Sequence, residues 1–330
     1  MKVHVCLVVR MVTVVFIVTL IHLLLNYLED TLSNTIIKPG DIFIESYDVT
    51  TTVKSNSDDT SKTLSTLRST GINSTIIAIG CAIKIRHKDL QKDDISHLPL
   101  FADLLPSFCL TMSRGFKYDF YFAHDYNDPF FIKNSAYDRF RGIFNGVLMN
   151  RSECYEIQDI EKTISIHFVK CRFSGKPAWA QNDAMMAAHA DNVTYFYRIN
   201  DDTILKTSGW TEQFIATLAA YEPPLIGVVG PNHTGGKLSI LTYEFVHRHH
   251  IDIFGFYYPR QLSAWYADDW ITKVYEPSRS KKLGNINLVH TKKLGIRYDH
   301  DKSHHRMLPT LLMRDRKVLQ KYLETHPSLF

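Results

Sequence analysis

The chain has 330 residues, 45% of them hydrophobic and 22% charged, with a formal net charge of +4. That balance supports a sizeable packed core and excludes a disordered or collagen-like protein. The basic residues are scattered, not banked into an aromatic-interleaved stripe, which excludes a dedicated nucleic-acid surface.

Residues 1–4 read as a short cytosolic tail and 5–28 as a transmembrane signal anchor. The stretch Met11 to Leu28 lacks formal charge and is roughly as long as a bilayer is thick. Lys2 and Arg10 precede it and Glu29 and Asp30 follow, so the positive-inside rule sends the remaining chain across the membrane. A cleavable signal peptide is the alternative, but no small-residue cleavage site of the A-x-A kind follows. Residues 29–73 are rich in Ser, Thr, Asp and Asn and too poor in apolar side chains to fold alone; they read as a luminal stem. Four N-x-S/T tripeptides, at Asn73, Asn150, Asn192 and Asn232, fit the same compartment. Past Cys6 the cysteines are an even set: Cys81, Cys109, Cys154 and Cys171. Cys154 and Cys171 bracket one loop-and-strand unit and are the expected pair, with a free buried thiol the alternative for Cys81.

The folded part spans 74–330. Thr75 to Ile83 is a continuous apolar run, the pattern of a strand buried on both faces. His97 to Arg114 has helical spacing, with Pro106 placed to kink or split it. Strands are predicted over Tyr118–Ala123, Ile164–Val169, Val193–Ile199 and Leu225–Gly230, and a small-residue helix over Asn182–Ala190. Strands alternating with helices predict a mainly parallel sheet. Residues 74–205 then form a nucleotide-binding half, although neither G-x-G-x-x-G nor a P-loop is present.

Two acidic clusters carry the chemistry. Asn200-Asp201-Asp202 ends an aromatic, β-prone run, where carboxylates at a strand's carboxyl end suit a hard divalent cation. The competing reading is a pair of turn caps. Residues 206–330 are less regular and more aromatic, with Asp268-Asp269 between Trp265 and Trp270. Aromatic faces beside carboxylates suit a carbohydrate, and a partly desolvated carboxylate there suits a general base; an N-cap is the competing reading. His247, His249 and His250 read as structural or acceptor-side residues, because no matching zinc ligands lie nearby. His290 ends the strand-like Ile286–Val289 segment and is placed to close a cation's shell. His300, His304 and His305 follow in what reads as a polar loop.

Three segments together resemble the GT-A superfamily of glycosyltransferases, of the Golgi type anchored as type II membrane proteins. Arg198-Ile199-Asn200-Asp201-Asp202-Thr203 is similar to the family's D-x-D element, with Asn200 in its first position. Trp265-Tyr266-Ala267-Asp268-Asp269-Trp270 is similar to its acidic acceptor-side element, with Asp-Asp where Glu-Asp is commoner. His290 falls where many members carry a metal-binding histidine. The resemblance covers about 75–298 and implies a Rossmann-like α/β fold. It implies a nucleotide-diphosphate sugar donor, most often a uridine one, with Mn²⁺ or Mg²⁺ held by Asp202, Asn200 and His290. It places Asp201 near the ribose or sugar, and Asp125, Asp128, Asn182 and Lys292 on the nucleotide side. Asp269 or Asp268 is then the base of an inverting hexosyl or N-acetylhexosaminyl transfer to a hydroxyl of a glycan or glycoprotein, in a Golgi or ER membrane. Two rival classes are a catalytically silent GT-A-like luminal binding protein or chaperone, and a metal-dependent phosphoester hydrolase.

Overall fold

The computed structural model describes residues 44–45 and 75–326, except 91–93, 156, 158, 236, 296 and 299–302. The expected tail, anchor and most of the stem, with Asn73 and His300, lie outside the described residues. Among the described residues no helix is long and apolar enough to cross a membrane.

In chain order the strands and longer helices are β1 (Ile44–Glu45), β2 (Ile76–Ile83), α1 (Leu105–Thr111), β3 (Lys117–His124), α2 (Ala136–Asn150), β4 (Ile164–Lys170), α3 (Pro177–Ala190), β5 (Tyr195–Arg198), β6 (Thr203–Leu205), α4 (Trp210–Ala219), β7 (Val228–Thr234), β8 (Phe245–His247), α5 (His249–Phe254), α6 (Ala267–Val274), β9 (Ser280–His290) and α7 (Ser303–Thr325). One nine-stranded sheet has the order β1-β4-β3-β2-β5-β8-β7-β9-β6. The run β4-β3-β2-β5 is parallel. Beyond β5 the sheet is mixed, because β8 is antiparallel to both β5 and β7, β9 is parallel to β7, and β6 is antiparallel to β9. The expected mainly parallel sheet therefore holds for the first half only. In the second half the links from β5 into β6 and from β7 into β8 carry no crossover helix, while helices do lie between β6 and β7 and between β8 and β9.

These pairings fix a geometric consequence. Strands β5, β7 and β9 all run the same way, so their carboxyl ends lie along one edge with those of β2, β3 and β4. The segment entering β8 starts at that same edge. The other edge receives the carboxyl ends of α2 and α3.

Local sequence explains most of the frame. α3 presents Ala180, Ala184, Ala187 and Ala188 as buried small side chains, which lets it approach the sheet closely. At Gly80 an added β-carbon would run into Met185 and Gln181. On the sheet's other face the pairs Phe101–Phe140, Phe108–Phe120, Phe120–Phe144 and Phe122–Phe144 meet edge to face. Each such buried ring is worth about 1.5–3 kcal/mol relative to exposure.

Several expectations are corrected. The helix over His97–Arg114 splits into a π-turn at Leu100–Leu104 followed by α1. Pro106 falls in the first turn of α1, where its missing N–H needs no partner. β7 starts at Val228, after a left-handed turn at Leu225 (φ 64). His304 and His305 belong to α7, not to a loop. The disulfide joins Cys109 to Cys154, with Cα atoms 5.0 Å apart, and leaves Cys81 and Cys171 as buried free thiols. It ties α1 to the turn after α2, a tertiary neighbourhood that sequence spacing does not reveal.

Candidate active site

Asn200-Asp201-Asp202 turns the chain from β5 into β6. The antiparallel register puts Thr203 opposite His290, and that pairing brings His290 to Asp202. Its Nε2 lies 3.2 Å from Asp202 Oδ1. The Thr291 amide and hydroxyl both donate to the Asp202 carbonyl at 3.0 Å, which fixes the turn. Asp202 is 3% exposed, yet its Oδ1 has no aligned hydrogen bond. Burial pushes its carboxyl up, but contact with His290 and the charge of Arg297 outweigh that and hold it below the usual carboxylate range. Asn200 Nδ2 donates to the Tyr243 hydroxyl at 3.3 Å, and the Tyr243 ring centroid lies 6.2 Å from that of His290.

Held by His290 alone at 3.2 Å and without an aligned hydrogen bond, Asp202 Oδ1 keeps acceptor capacity for a further ligand. Among the described residues no group of three or more His, Cys, Asp and Glu side chains could hold a metal ion unaided. Asp202 and His290, with the Asn200 amide at the mouth, fit an oxygen-preferring cation that takes its remaining ligands from phosphates and water.

Asp201 is tied by Arg297, whose two terminal nitrogens donate to its carboxylate at 2.6 and 2.5 Å. The sequence reading missed Arg297, which sits in a connecting segment with no motif of its own. Tyr298 follows, with the Lys84 ammonium 4.9 Å from its ring centre. Lys84 also stands 3.7 Å from Asp125. The segment after β9 therefore returns across the ends of β2 and β3.

Asp125, Asp128 and Asn182, expected on the nucleotide side, each tie parts of the frame together. Asp125 accepts from Ser174 Oγ at 3.1 Å and the Gly175 amide at 3.0 Å. Asp128 accepts from the Ile85 amide at 2.7 Å and the Phe130 amide at 2.9 Å, and burial pushes its carboxyl up to about 6. Asn182 Oδ1 accepts from the Tyr257 and Tyr258 amides at 2.9 and 3.1 Å, so it faces the second half of the molecule. Lys292 is exposed, with left-handed backbone (φ 55), while Lys293 is paired with Asp103 at 2.7 Å.

The second acidic cluster opens α6. Asp269 is 5% exposed and contacts Lys237 at 2.6 Å and Lys273 at 3.2 Å. Among the described residues no Lys or Arg side chain makes such a contact with Asp268, although the charge of Arg198 reaches it. Its Oδ1 accepts from the Asp269 amide at 3.0 Å and its Oδ2 from Thr242 Oγ1 at 3.4 Å. Burial raises the Asp268 carboxyl; Arg198 opposes that, and the Asp269 charge adds to it. Arg198 closes β5 and donates from Nη1 to the Thr242 carbonyl at 2.5 Å. Thr242 thus joins the strand end that leads into Asp201 and Asp202 to the carboxylate of Asp268. Both clusters belong to one sheet edge.

Glu244 is a further buried carboxylate missed by sequence reasoning. It is 0% exposed; the Tyr257 and Tyr258 hydroxyls donate to its Oε1, and Oε2 has no partner. Burial pushes it up to about 7. Its only sequence signal is a lone charge inside the aromatic run Tyr243-Glu244-Phe245. The histidines are core elements: the His250 ring bridges the Tyr275 hydroxyl and the Tyr257 carbonyl, both at 2.9 Å, and burial lowers its pKa to about 4. Trp270 is fully buried with Nε1 donating to Asp315 at 2.9 Å, whereas Trp265 is half exposed.

No protein-family model matches the chain, and no curated protein matches it. Among solved structures, S. aureus TarS in complex with UDP-GlcNAc aligns over 77% of this chain and 73% of its own, with 10% identity and a TM-score of 0.44. TarS in complex with UDP aligns over 72% and 70%, with 10% identity and a TM-score of 0.41. A longer TarS structure aligns over 73% of this chain, which spans 43% of that chain's length, with 10% identity and a TM-score of 0.42. At such scores the likeness is too slight to inform substrate or chemistry.

Proposed function

We propose that this protein is a glycosyltransferase that moves a sugar from a nucleotide-diphosphate donor, a uridine one first among those to test, to a hydroxyl of a glycan or glycoprotein. One observation carries the reading. A buried Asp202–His290 pair, 3.2 Å apart, shares a sheet edge, through Arg198 and Thr242, with Asp268, a carboxylate raised by burial that no Lys or Arg side chain contacts among the described residues.

In this reading Asp202 and His290, with Asn200, hold Mn²⁺ or Mg²⁺. When bound, the cation supplies neutralising charge at the departing diphosphate. Arg297, held by Asp201, adds positive charge next to Asp202. Asp268 takes the proton from the acceptor hydroxyl as that oxygen attacks the anomeric carbon from the opposite face, giving inversion. Asp269 is neutralised by Lys237 and Lys273 and holds the start of α6 in place. Its double ion pair is the physical reason for assigning the base to Asp268. The aromatic second half, with Trp265 at its surface, faces the acceptor. The apolar amino-terminal run, with the Cys109–Cys154 disulfide, supports a Golgi or ER membrane protein whose folded part is luminal.

The test is a panel of nucleotide sugars with the full chain, with and without Mn²⁺, read as thermal stabilisation and as product formation. A productive donor raises apparent stability by mass action and yields free nucleotide diphosphate. No stabilisation and no product with any donor would sink the proposal. Metal-dependent nucleotide binding without turnover would instead mark a silent relative, the reading that the amide of Asn200 favours.

A further inference from the structure

We infer that Asn150 and Asn192 carry N-linked oligosaccharides and that Asn232 does not. The inference rests on the luminal topology proposed above and not on the transfer chemistry. Three of the four N-x-S/T tripeptides fall on described residues, and their surroundings differ.

Asn150 is exposed at the last position of α2, and Arg151 and Ser152 after it are exposed too. Its Nδ2 donates one hydrogen to the Gly146 carbonyl at 2.8 Å, and a substituted amide keeps one hydrogen for that bond. Asn192 is exposed in the turn between α3 and β5, in a left-handed conformation (φ 58) that asparagine tolerates. Both positions follow helix carboxyl ends and precede parallel strands, so they lie on the sheet edge opposite the candidate active site. An oligosaccharide at either one projects into solvent and leaves the site open.

Asn232 differs in each respect. It lies inside β7, paired with Asn287 of β9, and its side chain is half-buried with Nδ2 donating to Asn287 Oδ1 at 3.1 Å. It is also two residues from the carboxyl end of β7, on the same edge as His290 and next to His233, which is 2% exposed. Just beyond, Gly235 is packed so tightly against His290 that an added β-carbon would come within 2.7 Å of its carbonyl oxygen. A bulky substituent at Asn232 would have to leave from within the β7–β9 pairing, on the edge that carries the candidate site.

The disulfide gives independent support. Cys154 lies just past Asn150 and is bridged to Cys109, a pairing that forms in the oxidising compartment where such oligosaccharides are attached. The co-reactant is a polyprenyl-diphosphate oligosaccharide. The asparagine Nδ2 forms a C–N bond to the anomeric carbon, the C–O bond to the diphosphate breaks, one amide proton passes to a base of the attaching enzyme, and the lipid diphosphate leaves.

The test expresses the full chain in cultured animal cells on an Asn73→Gln background, with endoglycosidase treatment and mass measurement. Asn150→Gln and Asn192→Gln should each remove one oligosaccharide-sized step, and Asn232→Gln none. Ser152→Ala and Thr194→Ala break the same tripeptides without touching the asparagines and should reproduce the two losses, which guards against misfolding of the first pair. An endoglycosidase-insensitive mass, a step at only one of the two sites, or a step at Asn232 would overturn the inference. Donor binding on the same preparations separates its failure from failure of the transferase reading.

Discussion

The two acidic pairs follow one plan and differ in outcome. In each, one carboxylate is locked by cations: Asp201 by the Arg297 fork, Asp269 by two lysines. In each, the neighbour is left with capacity to spare. At the first pair that neighbour, Asp202, is held below the usual carboxylate range by His290 and Arg297 against the effect of burial, so it stays anionic, as a cation ligand must. At the second pair the neighbour, Asp268, is raised by burial, so it holds a proton more tightly, as a base must. In the proposed reading the two dipeptides take opposite roles because Asp202 lies beside a histidine and an arginine, whereas half-buried Asp268 lies beside the Asp269 carboxylate. The environment assigns the chemistry.

The sharpest way to break this comparison is Asp268→Asn. General-base loss lowers turnover by about 10²–10⁴-fold while donor binding persists. In the parent protein, the acidic limb of the turnover profile should lie above the ordinary carboxylate range, since Asp268 must be ionised to act. An unchanged profile would remove it from the base role. Asp202→Asn comes next. Loss of a group that merely hydrogen-bonds a metal ligand lowers affinity or activity about 10–100-fold, so loss of a ligand itself should exceed that, read as Mn²⁺-dependent donor binding by calorimetry. Retained metal dependence would undo the left-hand side of the comparison.

Arg297→Ala probes the locked member of the first pair. The two side chains are 10% and 8% exposed, and stranding a buried carboxylate lowers stability by about 3–5 kcal/mol, measurable as a drop in the urea midpoint. Glu244→Gln probes the buried carboxylate that shares Arg198 with Asp268. The fold raises Glu244 from its ordinary 4.5 to about 7, so the folded chain binds that proton more tightly than the unfolded one. Its stabilisation is complete below 4.5 and fades as pH rises through about 7, by roughly 3 kcal/mol in all. Urea titrations across this window should show a falling stability in the parent and a flatter one in the glutamine variant.

How much of this was legible in sequence depends on how local the cause is. Ile76–Ile83 announces itself as an unbroken apolar run, because a strand covered on both faces needs nothing else, and Tyr118–Ala123 as an aromatic-rich run interrupted only by Asp119. Asp201, Asp202, Asp268 and Asp269 stand out as paired charges at the ends of aromatic segments. Arg297 and Glu244 do not, since each is a single charge whose meaning comes from a partner far along the chain. The switch from parallel to mixed sheet was likewise invisible: it depends on where β8 and β9 insert, which no short window encodes. The long helix α7 hid behind its histidines and Pro309, although Leu308, Leu311 and Leu319 mark its buried stripe. Spacing misassigned the disulfide for the same reason, since proximity of Cys109 to Cys154 comes from the packing of α1 against the turn after α2.

The smallest effect is the most discriminating. Asp269→Asn removes the double ion pair at the start of α6, but Lys237 and Lys273 are 54% and 37% exposed on their side chains, so water screens much of that attraction. The stability loss should be only about 1 kcal/mol. Turnover at its optimum should change little, because the base next door is intact. The informative change is in pH dependence. Asp269 is one of the charges that raise Asp268, so its neutralisation should move the acidic limb of turnover to lower pH. A collapse of turnover with an unmoved limb would transfer the base role to Asp269 and show that two lysines activate that carboxylate instead of silencing it.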